Sequence, residues 1–137
     1  ARPRQIKLCL CADDQRVLHT GKLFGIQFPM RLEPTIYATT DALSADYTGG
    51  FWDFFALSNG SFYMAPHADQ SFAVVSMNGY EGRMSADALG ITACLYAYSN
   101  LSFGGDAFAE VCAGQYHLLR EFAMGHAEVG AILAATD

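Results

Sequence analysis

Asn59-Gly60 sits between two apolar runs, "GGFWDFFALS" and "SFYMAP", and an Asn-Gly pair in that setting is the strongest short-range signal for a β-hairpin. A two-residue turn of type I′ pairs Ser58 with Ser61, Leu57 with Phe62, Ala56 with Tyr63 and Phe55 with Met64. Alternation then places Phe55, Leu57, Phe62 and Met64 on one face, and Trp52, Phe54, Ala56 and Tyr63 on the other. Both faces are apolar. Such a sheet needs cover on both sides, or it leaves one aromatic patch bare. Gly60 supplies the turn, and Gly49 and Gly50 let the chain bend sharply into the first strand.

A second Asn-Gly, Asn78-Gly79, follows the strand-like run "SFAVVSM" and precedes a short return strand over Tyr80–Met84. The expectation is an antiparallel meander of three to four strands. About four helices go with it, which gives an α+β fold. The first starts near Glu33, with Pro34 tolerated in its first turn and Ile36, Tyr37, Thr40 and Leu43 on one face. Ser85 reads as an N-cap, Asp87 suits the dipole of the helix it opens, and "ADALGITACLYAYSNL" is apolar nearly all round, as a buried helix is. Asp106 caps a further helix, and "AEVGAILAA" forms a short last one.

At 137 residues the chain is long enough to bury about two thirds of the surface it exposes when unfolded. With 52% hydrophobic and 16% charged residues it is too apolar for intrinsic disorder. No apolar run approaches the length of a membrane span, and the N-terminus lacks the pattern of a signal peptide, so the expected location is the cytoplasm. The charges divide unevenly. Residues 1 to 31 carry six basic residues against Asp13 and Asp14, a net of +4, whereas the remainder carries Arg83 and Arg120 against twelve acids, a net of −10. The division reads as a basic arm over residues 1–14 on an acidic domain over residues 15–137. An acidic body repels a phosphate backbone, which argues against strong nucleic-acid binding.

The chemistry of catalysis is thin. His117 and Glu121 stand one helical turn apart and, with Glu110, offer a small metal-dependent hydrolase as an alternative reading; two groups without a third ligand are a weak signal, and a surface pair is the plainer account. The chain lacks nucleophile-elbow, zinc-protease, phosphate-loop and calcium-loop motifs, so neither cofactor nor metal is expected. Cys9, Cys11, Cys94 and Cys112 lack the C-x2-C spacing of structural zinc and read as small hydrophobes. Gly79–Gly82, "GYEG", fits the G-x-x-G loop of a KH domain, but it follows a strand and carries an acid. Asp137, directly after a short apolar helix, opposes that helix's dipole. It reads as a solvated terminus or as a residue that serves a partner.

Three blocks occur in order: Tyr47-Thr48-Gly49-Gly50-Phe51-Trp52-Asp53-Phe54, Leu57-Ser58-Asn59-Gly60-Ser61-Phe62-Tyr63-Met64-Ala65-Pro66, and Met84-Ser85-Ala86-Asp87-Ala88 followed by Gly90-Ile91. Together with the ending "REFAMGHAEVGAILAATD" they resemble the ArdB/KlcA antirestriction family over roughly residues 16–137. The resemblance implies a small α+β protein of plasmids or other mobile elements. It implies relief of host type I restriction of incoming DNA without catalysis, acting on the restriction machinery directly or through a host protein. Its acids are spread thinly rather than spaced like phosphates, which makes DNA mimicry the weaker mechanism. Trp52, Asp53, Asn59, Tyr63, Asp87 and Asp137 are the candidate contact residues. Gly49, Gly50, Gly60, Ser85 and Gly90 are the structural positions of the motif.

Overall fold

The computed structural model describes residues 5–137, in the order β1 (Leu8–Leu10), α1 (Arg16–Phe24), α2 (Glu33–Leu43), β2 (Trp52–Leu57), β3 (Phe62–Pro66), β4 (Ser71–Val75), β5 (Glu81–Ser85), α3 (Ala86–Leu101), α4 (Ala107–Ala123) and α5 (Val129–Thr136). The fold is α+β, but the strands do not form one meander. They make a three-stranded antiparallel sheet in the order β1-β2-β3 and a separate antiparallel pair, β4-β5. The basic stretch set apart in the sequence contributes β1 to the first sheet, with Leu8 opposite Leu57 and Leu10 opposite Phe55.

The hairpin register differs by one residue from the expected one. Phe55 pairs with Tyr63, Ala56 with Phe62 and Phe54 with Met64. The turn is wider than type I′: Leu57 N–H donates to Ser61 O at 3.0 Å, which leaves three residues in the loop. Gly60 is at φ 91°, whereas among the described residues no residue other than glycine has positive φ, so Asn59 does not take the place a type I′ turn requires. Asn59 bends its side chain back instead, and its Oδ1 accepts from Ser61 N–H at 3.0 Å. A one-residue slip exchanges faces. Trp52, Phe54, Phe62 and Met64 thus share one side, and Asp53, Phe55, Leu57, Tyr63 and Ala65 share the other.

Both sides are covered. On the first, Phe24 and Phe28 meet Phe62 edge-on at 5.8 and 5.7 Å, and Tyr37 of α2 meets Trp52 at 5.2 Å. On the second, Tyr63 stacks between Phe55 at 4.8 Å and Phe122 of α4 at 5.7 Å. Such pairs contribute roughly 0.5–1.5 kcal/mol each beyond the area they bury.

Two helical features escape sequence patterning. α1 precedes the expected first helix and carries exposed apolar residues, with Val17 83% and Leu18 52% exposed, so its pattern does not mark a buried face. Phe28–Leu32 forms a wide π-type turn that runs directly into α2, with Glu33 N–H donating to Phe28 O. Pro34, which has no N–H and crowds the carbonyl four residues back, follows it.

α3 is the central helix. Ser85 caps it, accepting from Ala88 N–H at 3.1 Å, and eleven of its residues are buried. It lies along the free edge of β3: Tyr98 Oη donates to Phe62 O at 2.7 Å and the Cys94 thiol approaches Met64 O at 3.6 Å. Gly90 permits this approach, since a Cβ there would lie 2.4 Å from both Ala65 Cβ and Met64 O. From α4, Gln115 accepts from Phe62 N–H at 3.0 Å and donates to Gly60 O at 3.1 Å. Side chains thus satisfy an edge that would otherwise be bare.

Candidate functional site

The Pro66–Asp69 segment and the Tyr47–Phe51 loop border a shallow cleft system next to the edge of the first sheet. One cleft of about 220 Å³ is lined by Asp53, Phe55, Pro66, His67, Asp69 and Asp87 among others. A smaller neighbour is lined by Asp46, Tyr47, Thr48, Gly49, Gly50, Phe51 and His67 among others. His67 Nδ1 lies 2.8 Å from Asp53 Oδ2, and this hydrogen bond raises the imidazole pKa above its ordinary value. Phe51 is 54% exposed. Its ring packs edge-on to His67 at 6.0 Å and under the Arg16 guanidinium at 4.5 Å. Arg16 also stacks on Phe54 at 4.4 Å and donates to Trp52 O at 2.7 Å. Gly49 and Gly50 hold the loop at φ 94° and 111°, where any side chain is strained, although open space surrounds both.

From Asp87 at the cleft a half-buried polar relay runs inward to the buried Tyr63. Tyr63 Oη donates to Asp87 Oδ1 at 2.7 Å, and His126 Nε2 meets Asp87 Oδ2 at 2.8 Å. Glu128 N–H donates to His126 Nδ1 at 2.9 Å, which fixes the proton of the neutral ring on Nε2. Glu128 in turn accepts from Ser85 N–H at 2.9 Å and from the Ser85 hydroxyl. Burial and the neighbouring Asp87 push the Tyr63 phenol far above its ordinary pKa, and the hydrogen bond to Asp87 raises that of His126. The ring has both nitrogens engaged, so this arrangement locks the start of α3 to the segment before α5. It does not expose a base.

The six candidate contact residues therefore separate. Trp52 is 3% exposed and Tyr63 is 0% exposed. Both are core residues: Trp52 packs on Tyr37 of α2 and donates its Nε1–H to Tyr47 Oη at 3.0 Å, and Tyr63 packs against Phe122 of α4. This corrects the expectation that these two rings offer themselves to a partner. Asn59 is half-buried, and its amide donates to Leu118 O at 2.8 Å. Asp87 belongs to the relay. Asp53 pairs in β2 and holds His67. Asp137 is exposed and faces Arg120 at 3.3 Å. The structure thus brings Asp53 and Asp87 to one cleft and leaves Asn59 and Asp137 elsewhere.

His67, His126 and Glu128 were missed as site residues because their partners lie 14 to 43 positions away. Only the Ser85-x-Asp87 cap hinted that this turn gathers polar groups. His117, Glu121 and Glu110 are exposed on α4, and among the described residues no group of three or more His, Cys, Asp or Glu is placed to hold a metal ion. The four thiols are free, and burial pushes those of Cys94 and Cys112 up to about 12 and about 11. Among the described residues no helix is long and apolar enough to cross a membrane.

Residues 45–137 match the family described as antirestriction protein. Over 131 residues the chain is 39% identical to the antirestriction protein KlcA of Escherichia coli, covering 93% of this chain and 92% of that one. It is 38% identical over 129 residues to the uncharacterized protein YafX of Escherichia coli (strain K12), covering 91% and 84%. A solved structure superposes with a TM-score of 0.91 at 36% identity, covering 100% of this chain and 99% of the other. It is described as showing that the KlcA and ArdB proteins have a novel fold and antirestriction activity against type I DNA restriction systems in vivo but not in vitro. The chain belongs to the antirestriction protein family.

Proposed function

We propose that this protein relieves type I restriction of incoming mobile-element DNA inside the cell by non-catalytic protein contact, made directly with the restriction machinery or through a host protein. The observation that carries this reading is the full-length likeness, at a TM-score of 0.91, to proteins described as active against type I systems in vivo but not in vitro. An inhibitor that works only in cells depends on a component that purified reactions lack. A DNA mimic needs no such component, because it occupies the enzyme's own channel. The thin spread of acids supports the same preference.

The contact surface in this proposal is the cleft face around Phe51 and His67, where an exposed ring and two glycines at positive φ stand on a rigid strand pair. The test is the plating efficiency of unmodified phage on strains carrying different type I systems, with and without the protein. Many-fold relief supports the reading, and unchanged plating across all of them sinks it. Tight, salt-sensitive binding to a purified restriction enzyme restores mimicry.

A further inference from the structure

The two edges of the three-stranded sheet are treated differently. The β3 edge is closed by Tyr98, Cys94 and Gln115. Among the described residues the β1 edge has no such cover. Ser58 N–H donates to Lys7 O at 2.9 Å and Cys11 N–H donates to Phe54 O at 2.7 Å. Since antiparallel ladders alternate, Lys7, Cys9 and Cys11 turn their backbone groups toward β2, and Leu8 and Leu10 turn theirs outward. Among the described residues the contact made to those outward groups is a weak one, Cys9 Sγ to Leu10 O at 3.8 Å. The side chains are open as well: Leu8 is 48% and Leu10 58% exposed. They end the apolar rows Leu8–Leu57 and Leu10–Phe55–Tyr63, which cross the sheet and stop at its rim. Pairable backbone beside exposed leucine is a template for strand addition, and Leu8–Leu10 contains neither proline nor charge to blunt it.

We propose that the strand added is β1 of a second copy of this chain, paired antiparallel about Cys9. Leu8-Cys9-Leu10 reads the same in both directions, so a two-fold axis through Cys9 sets Leu8 opposite Leu10 of the other copy. These are the residues whose N–H and C=O face outward, and they form the hydrogen-bonded pairs. Each apolar row continues into its neighbour, and two three-stranded sheets become one of six. Charge favours the same arrangement. Antiparallel pairing carries Lys7 of one copy toward the Asp13–Asp14 end of the other, whereas parallel pairing sets like charges together. Asp13 already meets Arg16 at 3.3 Å, and Asp14 has no ion pair among the described residues. The contact is short, so the dimer is weak, with a dissociation constant of about 10 µM to 1 mM.

The pairing places Cys9 directly opposite its counterpart in a non-hydrogen-bonded pair, with Cα atoms about 4.5 Å apart, which a disulfide spans. The test uses the full chain in two assays. In sedimentation equilibrium, the wild-type mass rises from 14.9 kDa toward twice that value with concentration. With diamide, two Cys9 thiols surrender two electrons and two protons to the reagent, which becomes its hydrazine, and a dimer appears on non-reducing gels. Cys9→Ser abolishes the crosslink but not the association. Leu10→Pro removes an outward N–H while sparing the bonds to β2, and holds the protein monomeric at an unchanged melting temperature; Leu8→Lys checks the same edge through a side chain. A chain that stays monomeric throughout and gives no Cys9 crosslink overturns the proposal. So does a dimer that survives both edge variants, or an edge that takes up only extended peptides of other proteins.

Discussion

His126 Nε2 lies 2.8 Å from Asp87 Oδ2, joining the segment ahead of α5 to the first turn of α3, while Tyr63 of β3 holds the other carboxylate oxygen at 2.7 Å. One carboxylate thereby ties together a strand, the central helix and the C-terminal segment. Asp87→Ala leaves the buried Tyr63 hydroxyl without its acceptor, and a destabilisation of about 2–3 kcal/mol is expected. Urea unfolding of wild type and variant measures it.

The same pair makes stability depend on pH. The hydrogen bond to Asp87 raises the folded pKa of His126 above its ordinary 6.5; burial opposes the rise, and the charges of Asp87 and Glu128 add to it. A group whose folded pKa is raised contributes stability that is fully present below its unfolded value, and this is lost as pH rises through the folded one. Urea midpoints for wild type should therefore fall, relative to His126→Ala, on going from pH 6 to pH 8.5. A constant difference between the two proteins across that range contradicts the linkage.

Gly90→Ala tests the approach of α3 to β3. Its Cβ would sit 2.4 Å from a backbone oxygen of β3, and neither element can yield without disturbing the core. A loss of about 3 kcal/mol is expected from overpacking against backbone, read as a lower melting temperature. Gly114→Ala, where nothing lies within 4 Å, is the control and should be neutral or slightly stabilising.

Gln115 is the only polar group of α4 that reaches the β3 edge among the described hydrogen bonds, and it serves both an N–H and a carbonyl there. Gln115→Leu orphans both and should cost about 2–4 kcal/mol. Gln115→Glu still accepts from Phe62 but turns a carboxylate oxygen toward Gly60 O. Its destabilisation should ease below the pH at which that acid protonates, and thermal melts at pH 4.5 and 7.5 decide it.

Two aromatic substitutions separate contact from core. Phe51→Ala removes an exposed ring, costing at most about 1 kcal/mol through the Arg16 stack, and should abolish relief of restriction while the protein stays folded. Trp52→Ala empties a buried site and should cost about 3–5 kcal/mol, so any loss of relief there follows loss of soluble protein. Plating efficiency read beside the melting temperature distinguishes them.

What the sequence by itself determined is local. The caps at Ser85 and Asp106, the buried character of α3, the two Asn-Gly hairpins and the α+β class all follow from hydrogen-bonding options and periodicity within a few residues. The three-block motif carried the family. What tertiary structure decided depends on partners far along the chain. Each Asn-Gly turn became a three-residue loop whose asparagine anchors a distant helix, Asn59 to Leu118 O and Asn78 to Ala134 O. That choice slipped the register by one residue and exchanged the faces, and helices covering both faces made Trp52 and Tyr63 core residues. The strands split into two sheets because α3 and Gln115 satisfy the edge of β3 that a further strand would have taken. His67 met Asp53, and His126 met Asp87, only once the chain had closed. A residue's own neighbours fix its backbone preference, but the donor that a buried acceptor finds is fixed by packing.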